Sequence, residues 1–551
     1  MSQRFLILAA FALITLLGYF QFPGHTYLQS DTQIYIPILE RLRDPDLYKA
    51  DPVALRPHVS YTIYDEVALA LRRLTGLDFE WVLAAQQLVF RFLGIWGVYL
   101  IATSMGLQTR MAVVVASIVH LGASIHGPAV LTVEYEPVPR GFAIPLIILA
   151  IGLLAHNRTL PAAAVAGLAI LFHPPTVVPF LAVYGIMLLR LPDAEERRRR
   201  WQYLLPILGA AALLFVFSKL QAGLSEKQDL FGRIDAELER LQRLRGAYNW
   251  VSLWAVEWIW QYLFLWVAGV IAFLRMGRWV PEKLQFFVAG LPAYGLLMIP
   301  VSYLTLEGMK WSFIPQFQPA RAVLFVVLMI MITGSAAGLR AAQARRWLEA
   351  VVWLVIVFAI PVNIRVLPIL FPNLTDPVIV RRLLLTLGLA GLAVLAAVME
   401  KRPGAWATWA ACLILPCFLI PHVGGIQNFP ELHHPELDEL AAWARENTPQ
   451  DAVFLFPFAE RSLHPGVFRA RSLRTVYVDW KSGGQVNLLK DFADEWWQRW
   501  QAAMARPGSK LDLASYARLG IDFIVVERKD ALPEVQTVFA NSRYAVYGVP
   551  R

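Results

Sequence analysis

Asp31 is the first carboxylate after the N-terminal apolar run, at the head of the segment DTQIY. A carboxylate at an open cleft takes a proton from an acceptor hydroxyl during group transfer, which makes Asp31 a candidate general base. The same spacing fits a structural role, because Ser30 and Gln33 have capping-box separation and acids favour the first turn of a helix. Glu134, Tyr135 and Glu136 form a second group in EYEPVPR, close in sequence to Arg140. Two acids so placed either bind a sugar hydroxyl or a divalent cation such as Mg or Mn, or pair with the arginine within the loop. No His/Cys spacing supports a zinc site.

His173, in HPPT, follows an apolar run and precedes two prolines, where a helix must stop. It either donates to a phosphate oxygen or serves only that helix end. Lys310 and Arg321 bracket KWSFIPQFQPAR. A guanidinium there suits an anionic lipid phosphate, which it binds in bidentate fashion; the alternative for Arg321, and for Arg381 and Arg382, is snorkelling to lipid headgroups. Trp480, Trp496, Trp497 and Trp500 offer faces for a sugar or, more simply, core and interface anchors.

These residues are carried by a chain that water cannot solvate. Of 551 residues, 57% are hydrophobic and only 17% charged, against about 25% charged in a soluble domain. Apolar runs fall near 5–20, 82–104, 111–126, 141–155, 160–172, 174–189, 203–219, 251–274, 284–302, 320–338, 347–363, 380–399 and 405–422. Many approach the roughly 18–20 residues that cross a bilayer as helix, so the sequence predicts about thirteen spans. The first run has no small-x-small cleavage site and reads as a retained first helix. Both cysteines, Cys412 and Cys417, lie inside the last run, so no disulfide framework is available to the outer segments.

The net charge of +9 sits in short clusters between apolar runs, which excludes a nucleic-acid reading in favour of membrane topology. With the N-terminus cytoplasmic, every proposed inner loop carries arginine or lysine: Arg110, Arg158, Arg197 to Arg200, Arg275 and Arg278, Arg345 and Arg346, Lys401 and Arg402. All the candidate groups then fall on the outer face, where intramembrane ionisable residues read as functional. Residues 21–81 form a long first outer loop. Residues 222–247 read as an amphipathic helix in the interface plane, with Ser225 and Gln228 at its cap and Leu230, Ile234, Leu238 and Leu241 on its stripe. From residue 423 to 551 the composition becomes that of a soluble α/β module, with helices over PELDELAAWAREN, KDFADEWWQRWQAAMA and LDLASYARL and strands over AVFLFPF, RTVYVDW, DFIVVER and YAVYGV.

This layout resembles the GT-C superfamily of polytopic membrane glycosyltransferases. The similarity lies in the outward acid Asp31, in QIYIPILERLRDPDLYKADP of the first outer loop, in VEYEPVPRGFAIP and HPPT, and in ARENTPQDAVFLFP and ARLGIDFIVVER of the outer module. The resemblance implies transfer of a sugar from a polyprenyl-phosphate-type donor to an extracytoplasmic acceptor, at the outer face of a bacterial inner membrane and among membrane lipids. By the same resemblance Asp31 becomes the catalytic base, and Arg140, His173 and Arg321 become contacts to the lipid phosphate. Gln33, Glu134, Tyr135, Glu136 and Lys310 complete the expected substrate site. Asp31 is followed by Thr-Gln and not by a second acid, which sets it apart from paired-acid members and leaves metal use open. Two other classes stay in view: a transporter or flippase of lipid-linked sugars, which needs charges through mid-span, and a non-catalytic assembly subunit.

Overall fold

The computed structural model describes residues 3–56, 62–191, 194–220, 232–400, 402, 404–427, 432–506, 508–533 and 535–550. Each of the thirteen apolar runs folds as a helix, from α1 (Gln3–Phe20) to Ala405–Gly424. Seven of these are long and apolar enough to cross a membrane, and six more have 10–17 residues. The shorter ones explain why a count of crossings cannot be taken from apolar runs alone. Thr109–His120, with 12 residues, rises only about 18 Å, well short of a hydrocarbon core of about 30 Å. Its apolar run continued to residue 126, but the helix ends at His120, and Gly122 follows in the left-handed region at φ +72°.

Small residues set the helix spacing where the bundle is tightest. A Cβ at Gly97 would meet backbone atoms of Ile148 and Leu149 at 2.5–2.7 Å, so Phe79–Ser104 and Pro139–Ala155 pack backbone to backbone. The helix within Ile314–Gln343 lies wholly inside protein, whereas Ala194–Lys219 keeps most of its surface outward. Arg91, the buried cation of Phe79–Ser104, donates to the carbonyls of Gly18 (2.9 Å), Gly24 (2.7 Å) and Glu134 (2.8 Å). Its charge is spent on joining α1, the first loop and the 134–140 loop. Glu257 is exposed in the first turn of Val256–Met276 and is not a mid-span charge. Arg382 likewise donates to Gly424 O (3.2 Å) and Asn363 Oδ1 (2.8 Å), which ties helix ends together.

The described residues form two sheets. β1 (Ser124–Ile125) and β2 (Val130–Leu131) form a short hairpin. The C-terminal module holds β3 (Val453–Leu455), β4 (Thr475–Val476), β5 (Phe523–Glu527), β6 (Phe539–Ala540) and β7 (Tyr544–Gly548) in the order β4-β3-β5-β7-β6. β3 is parallel to both β4 and β5, while β7 is antiparallel to β5 and β6. The expected helix over 435–447 is present as Pro435–Asn447. A further helix, outside the expected ones, spans His464–Ser472 and carries Pro465 in its first turn, where proline is tolerated.

The C-terminal module is not a separate body resting on the bundle. One core joins Ile34, Ile38 and Val53 of the first loop, Ile234, Leu238 and Leu241 of the 234–245 segment, and Leu455, Phe492 and Trp496 of the module. This revises the expected in-plane helix. Of 222–247, the structure describes a helix at Ala236–Arg245, and its apolar stripe is buried against the module instead of lying on lipid. Ser225, Gln228 and Leu230 lie outside the described residues.

Candidate active site

Helix α2 (Thr32–Arg43) begins immediately after Asp31, which sits at its N-cap but makes no side-chain cap bond. Glu136 caps the helix in its place. Its carboxylate accepts the N–H groups of Gln29 (2.9 Å), Ser30 (2.6 Å), Asp31 (2.6 Å) and Thr32 (3.3 Å), and the Thr32 hydroxyl (2.8 Å). A carboxylate is well suited to this position, because the first N–H groups of a helix lack intrahelical partners and carry partial positive charge. Burial, helped by the nearby Asp31 charge, raises the Glu136 pKa above the usual value.

Relieved of capping, the Asp31 carboxylate faces a cavity of about 1010 Å³. Lys481 Nζ donates to its Oδ1 at 2.7 Å, and Arg140 approaches Oδ2 at 3.6 Å. Burial alone pushes its pKa up, but Lys481 first and Arg140 second outweigh burial and hold it well below the usual carboxylate range. The Asp31 side chain remains 35% exposed, against 4% for Glu134. Arg140 Nε donates to Glu134 Oε1 at 2.5 Å, so of the two acids in EYE, one neutralises an arginine and the other holds a helix.

The opposite wall comes from the hairpin and the segment before Leu324. Arg321 donates to Pro128 O at 3.2 Å and lies over the Tyr248 ring at 5.1 Å. Gly127, at φ +83°, turns the hairpin so closely over Trp254 that a Cβ would meet the indole at 2.7 Å. His173 caps Pro174–Leu189, its Nδ1 accepting from Thr176 N at 3.3 Å. The Thr176 hydroxyl lies 2.8 Å from the same Nδ1, and the imidazole forms part of the cavity wall. Apolar groups, including Leu214, Phe215, Trp258 and Phe313, line the cavity as well.

Asp31, Glu134, Tyr135, Glu136, Arg140, His173 and Arg321 all line this one cavity. Gln33 and Lys310 do not. Gln33 is fully buried, donates to Leu28 O at 2.8 Å and packs against Gly466, so it has a structural place instead of the expected substrate contact. Lys310 pairs with Glu239 at 2.7 Å and, at φ +59°, accepts the N–H of Ile234 through its carbonyl, so its ammonium ties this segment to the Ala236–Arg245 helix.

Sequence reasoning missed two cations. Lys481 comes from the C-terminal module, 450 residues from Asp31, and no local signal connects them. Arg245, at the end of Ala236–Arg245, is stacked on Trp480 at 3.8 Å, and burial lowers its pKa to about 10. Trp496 and Trp500 pack beside Trp480, so three of the four tryptophans form the socket behind these cations, while Trp497 lies under Arg240.

Lys481 is itself held by a buried ion triad. Arg469 lies between Asp51 (2.8 Å) and Asp479, all three at most 2% exposed. Asp479 Oδ1 accepts Ser482 N at 2.9 Å and its carbonyl accepts Trp496 Nε1 at 2.9 Å. The 21–81 loop thus fixes, through its Asp51 and the module's Arg469, the turn that delivers Lys481.

Among the described residues, no three His, Cys, Asp or Glu side chains are grouped to hold a metal ion. The fold and site define a polytopic membrane protein whose C-terminal module completes a cation-rich cavity. Residues 435–503 match a family described as a domain of unknown function (DUF6798). No curated protein matches the chain. Among solved structures, it is similar to ArnT from Cupriavidus metallidurans in the apo state, at 13% identity over 99% of this chain and 98% of that one, with a TM-score of 0.49. It is also similar to the arabinofuranosyltransferase AftD from Mycobacteria, at 14% identity over all of this chain but 40% of that one, with a TM-score of 0.46. The apo oligosaccharyltransferase of Archaeoglobus fulgidus matches at 14% identity over 95% and 69% of the two chains, with a TM-score of 0.42. At such distance, the chemistry of the cavity has to be argued from its own residues.

Proposed function

We propose that this chain is a membrane glycosyltransferase that takes a sugar from a polyprenyl-phosphate-type donor and passes it to a hydroxyl acceptor on the outer face of the membrane. One observation carries the reading. Asp31 keeps an ionised, partly exposed carboxylate inside a cavity whose other charged groups are mostly cations, because Glu136 has taken over its helix.

In the proposed step, the acceptor oxygen bonds to the anomeric carbon as the bond from that carbon to the phosphate oxygen breaks. The leaving prenyl phosphate keeps the electron pair, and the acceptor proton goes to Asp31. Arg140, Arg321 and His173 offset the charge that develops on the leaving phosphate. The apolar wall of Leu214, Phe215 and Trp258 receives the first part of the prenyl tail. Orientation with the module outside follows the arginine-bearing inner loops. Transport is less well supported, since the mid-span cation Arg91 is committed to three carbonyls.

The test is Asp31→Asn in the full chain reconstituted in lipid, with donor binding and transfer measured separately. The change is nearly isosteric but removes the proton acceptor, so transfer falls by about 10²–10⁴ while donor binding persists. Full transfer by this variant defeats the assignment. Arg321→Ala should weaken donor binding first, by about tenfold or somewhat more.

A further inference from the structure

We infer that Lys481 stands where a divalent cation would otherwise bridge Asp31 to a phosphate, so that the site binds its anionic ligand without Mg or Mn. The inference rests on the phosphate-donor reading above. It starts from the three carboxylates of the cavity, each of which already has a protein partner. Glu136 is filled by backbone N–H groups, Glu134 by Arg140, and Asp31 by Lys481 and Arg140. Mg²⁺ demands near-ideal octahedral oxygen coordination and usually takes one or two carboxylates directly, and none here is unengaged.

Charge leads to the same assignment. The cavity is lined by four cations (Arg140, Arg245, Arg321 and Lys481) and three acids (Asp31, Glu134 and Glu136), an excess of one positive charge before any metal is added. That excess matches an incoming phosphate, and a further divalent ion would have to enter against it.

Lysine has the right form for the part. An ammonium is a compact point charge with three donors. Two are used on Asp31 Oδ1 (2.7 Å) and Ser30 Oγ (2.9 Å), which leaves a third for a ligand in the cavity that Lys481 lines. The position is also built: Lys481 is 17% exposed, and its turn is anchored through Ser482 and Asp479 to the Arg469 triad. The C-terminal module therefore contributes a ligand-binding group and not merely a cover.

The experiment uses the full chain in lipid nanodiscs with undecaprenyl phosphate as the binding probe and Mn²⁺ as the metal probe. Wild type should bind undecaprenyl phosphate equally in excess EDTA and in millimolar Mg²⁺. Lys481→Ala should lose about 10- to 100-fold in affinity, and Lys481→Arg should retain most of it. Paramagnetic resonance should detect no stoichiometric Mn²⁺ on wild type, a measurement that depends on no variant folding. Binding abolished by EDTA overturns the inference, as does Mn²⁺ held by wild type and released in Asp31→Asn. Failure of wild type to bind undecaprenyl phosphate under either condition overturns the functional reading and the phosphate role of Lys481 with it, while the Mn²⁺ measurement still decides the metal question.

Discussion

Glu136 and Asp31 divide between them two tasks that one acid at a helix start normally combines. The Glu136 carboxylate takes the Asp31 N–H at 2.6 Å and those of its neighbours, and the Asp31 carboxylate is left to Lys481. The Asp31 side chain is thereby released from capping without leaving the helix end bare. The arrangement also fixes where Asp31 points, because four consecutive N–H groups converge on one buried side chain.

Glu136→Gln separates these tasks. The amide keeps one acceptor oxygen but places a donor against N–H groups, and it removes the charge that favours a helix N-terminus. A loss of about 1–3 kcal/mol is expected from the unmet buried groups, read as a lower thermal midpoint in detergent. Asp31→Asn gives up the pairs with Lys481 and Arg140 but leaves the cap in place, so it should lower the midpoint through those ion pairs while the amides of residues 29–32 stay protected from hydrogen exchange. Loss of that protection in Asp31→Asn as in Glu136→Gln would mean that Asp31 is part of the cap after all.

The Asp51–Arg469–Asp479 triad makes a different demand. Removing one partner from a buried ion network costs about 3–5 kcal/mol, because the remaining charges stay buried and unpaired. Arg469→Met should therefore loosen the C-terminal module at markedly lower temperature, seen as protease sensitivity in residues after 423 and in the first loop packed against them. Wild-type resistance in this variant would show that the triad does not hold the Lys481 turn.

How much of this could be read in the sequence depends on distance along the chain. The thirteen apolar runs became helices because composition alone decides them, and the module's strands followed their alternation and β-branched content. Asp31, Glu134, Arg140, His173 and Arg321 were legible as costly polar groups at run ends. Lys310 had the same signature and fooled it, since a lysine paired with Glu239 looks no different in sequence. Lys481 was illegible for the opposite reason: a lysine in a soluble module is ordinary until the fold carries it 450 positions back to Asp31. The Glu136 cap belongs to the same class, an N-cap supplied from 105 residues away.

Orientation can be read with introduced cysteines, because both native ones are buried. Ser509 in the module and Ala344 in a proposed inner loop are exposed. A membrane-impermeant maleimide added to intact spheroplasts should label Ser509→Cys and spare Ala344→Cys until the membrane is opened. The reverse pattern would move the whole cavity to the cytoplasmic side and remove the basis for an outer-face donor.

The depressed pKa of Asp31 makes a prediction about the pH profile whose sign is fixed. A carboxyl whose folded pKa lies below its unfolded value, about 3.9, adds stability above that value, and this is lost as pH falls through the folded pKa. Wild type should accordingly show no acid limb from Asp31 in kcat/KM down to about pH 4, since the base stays ionised throughout. Lys481→Ala removes the strongest opposing charge but leaves the burial that pushes the pKa up. The acid limb should then rise into the measurable range, whatever the loss in absolute rate. Lys481→Arg should restore the wild-type shape, because it returns the charge if not the geometry. A profile for Lys481→Ala that keeps its wild-type shape down to the same pH would show that Lys481 does not govern Asp31, and the base would have to be sought elsewhere in the cavity.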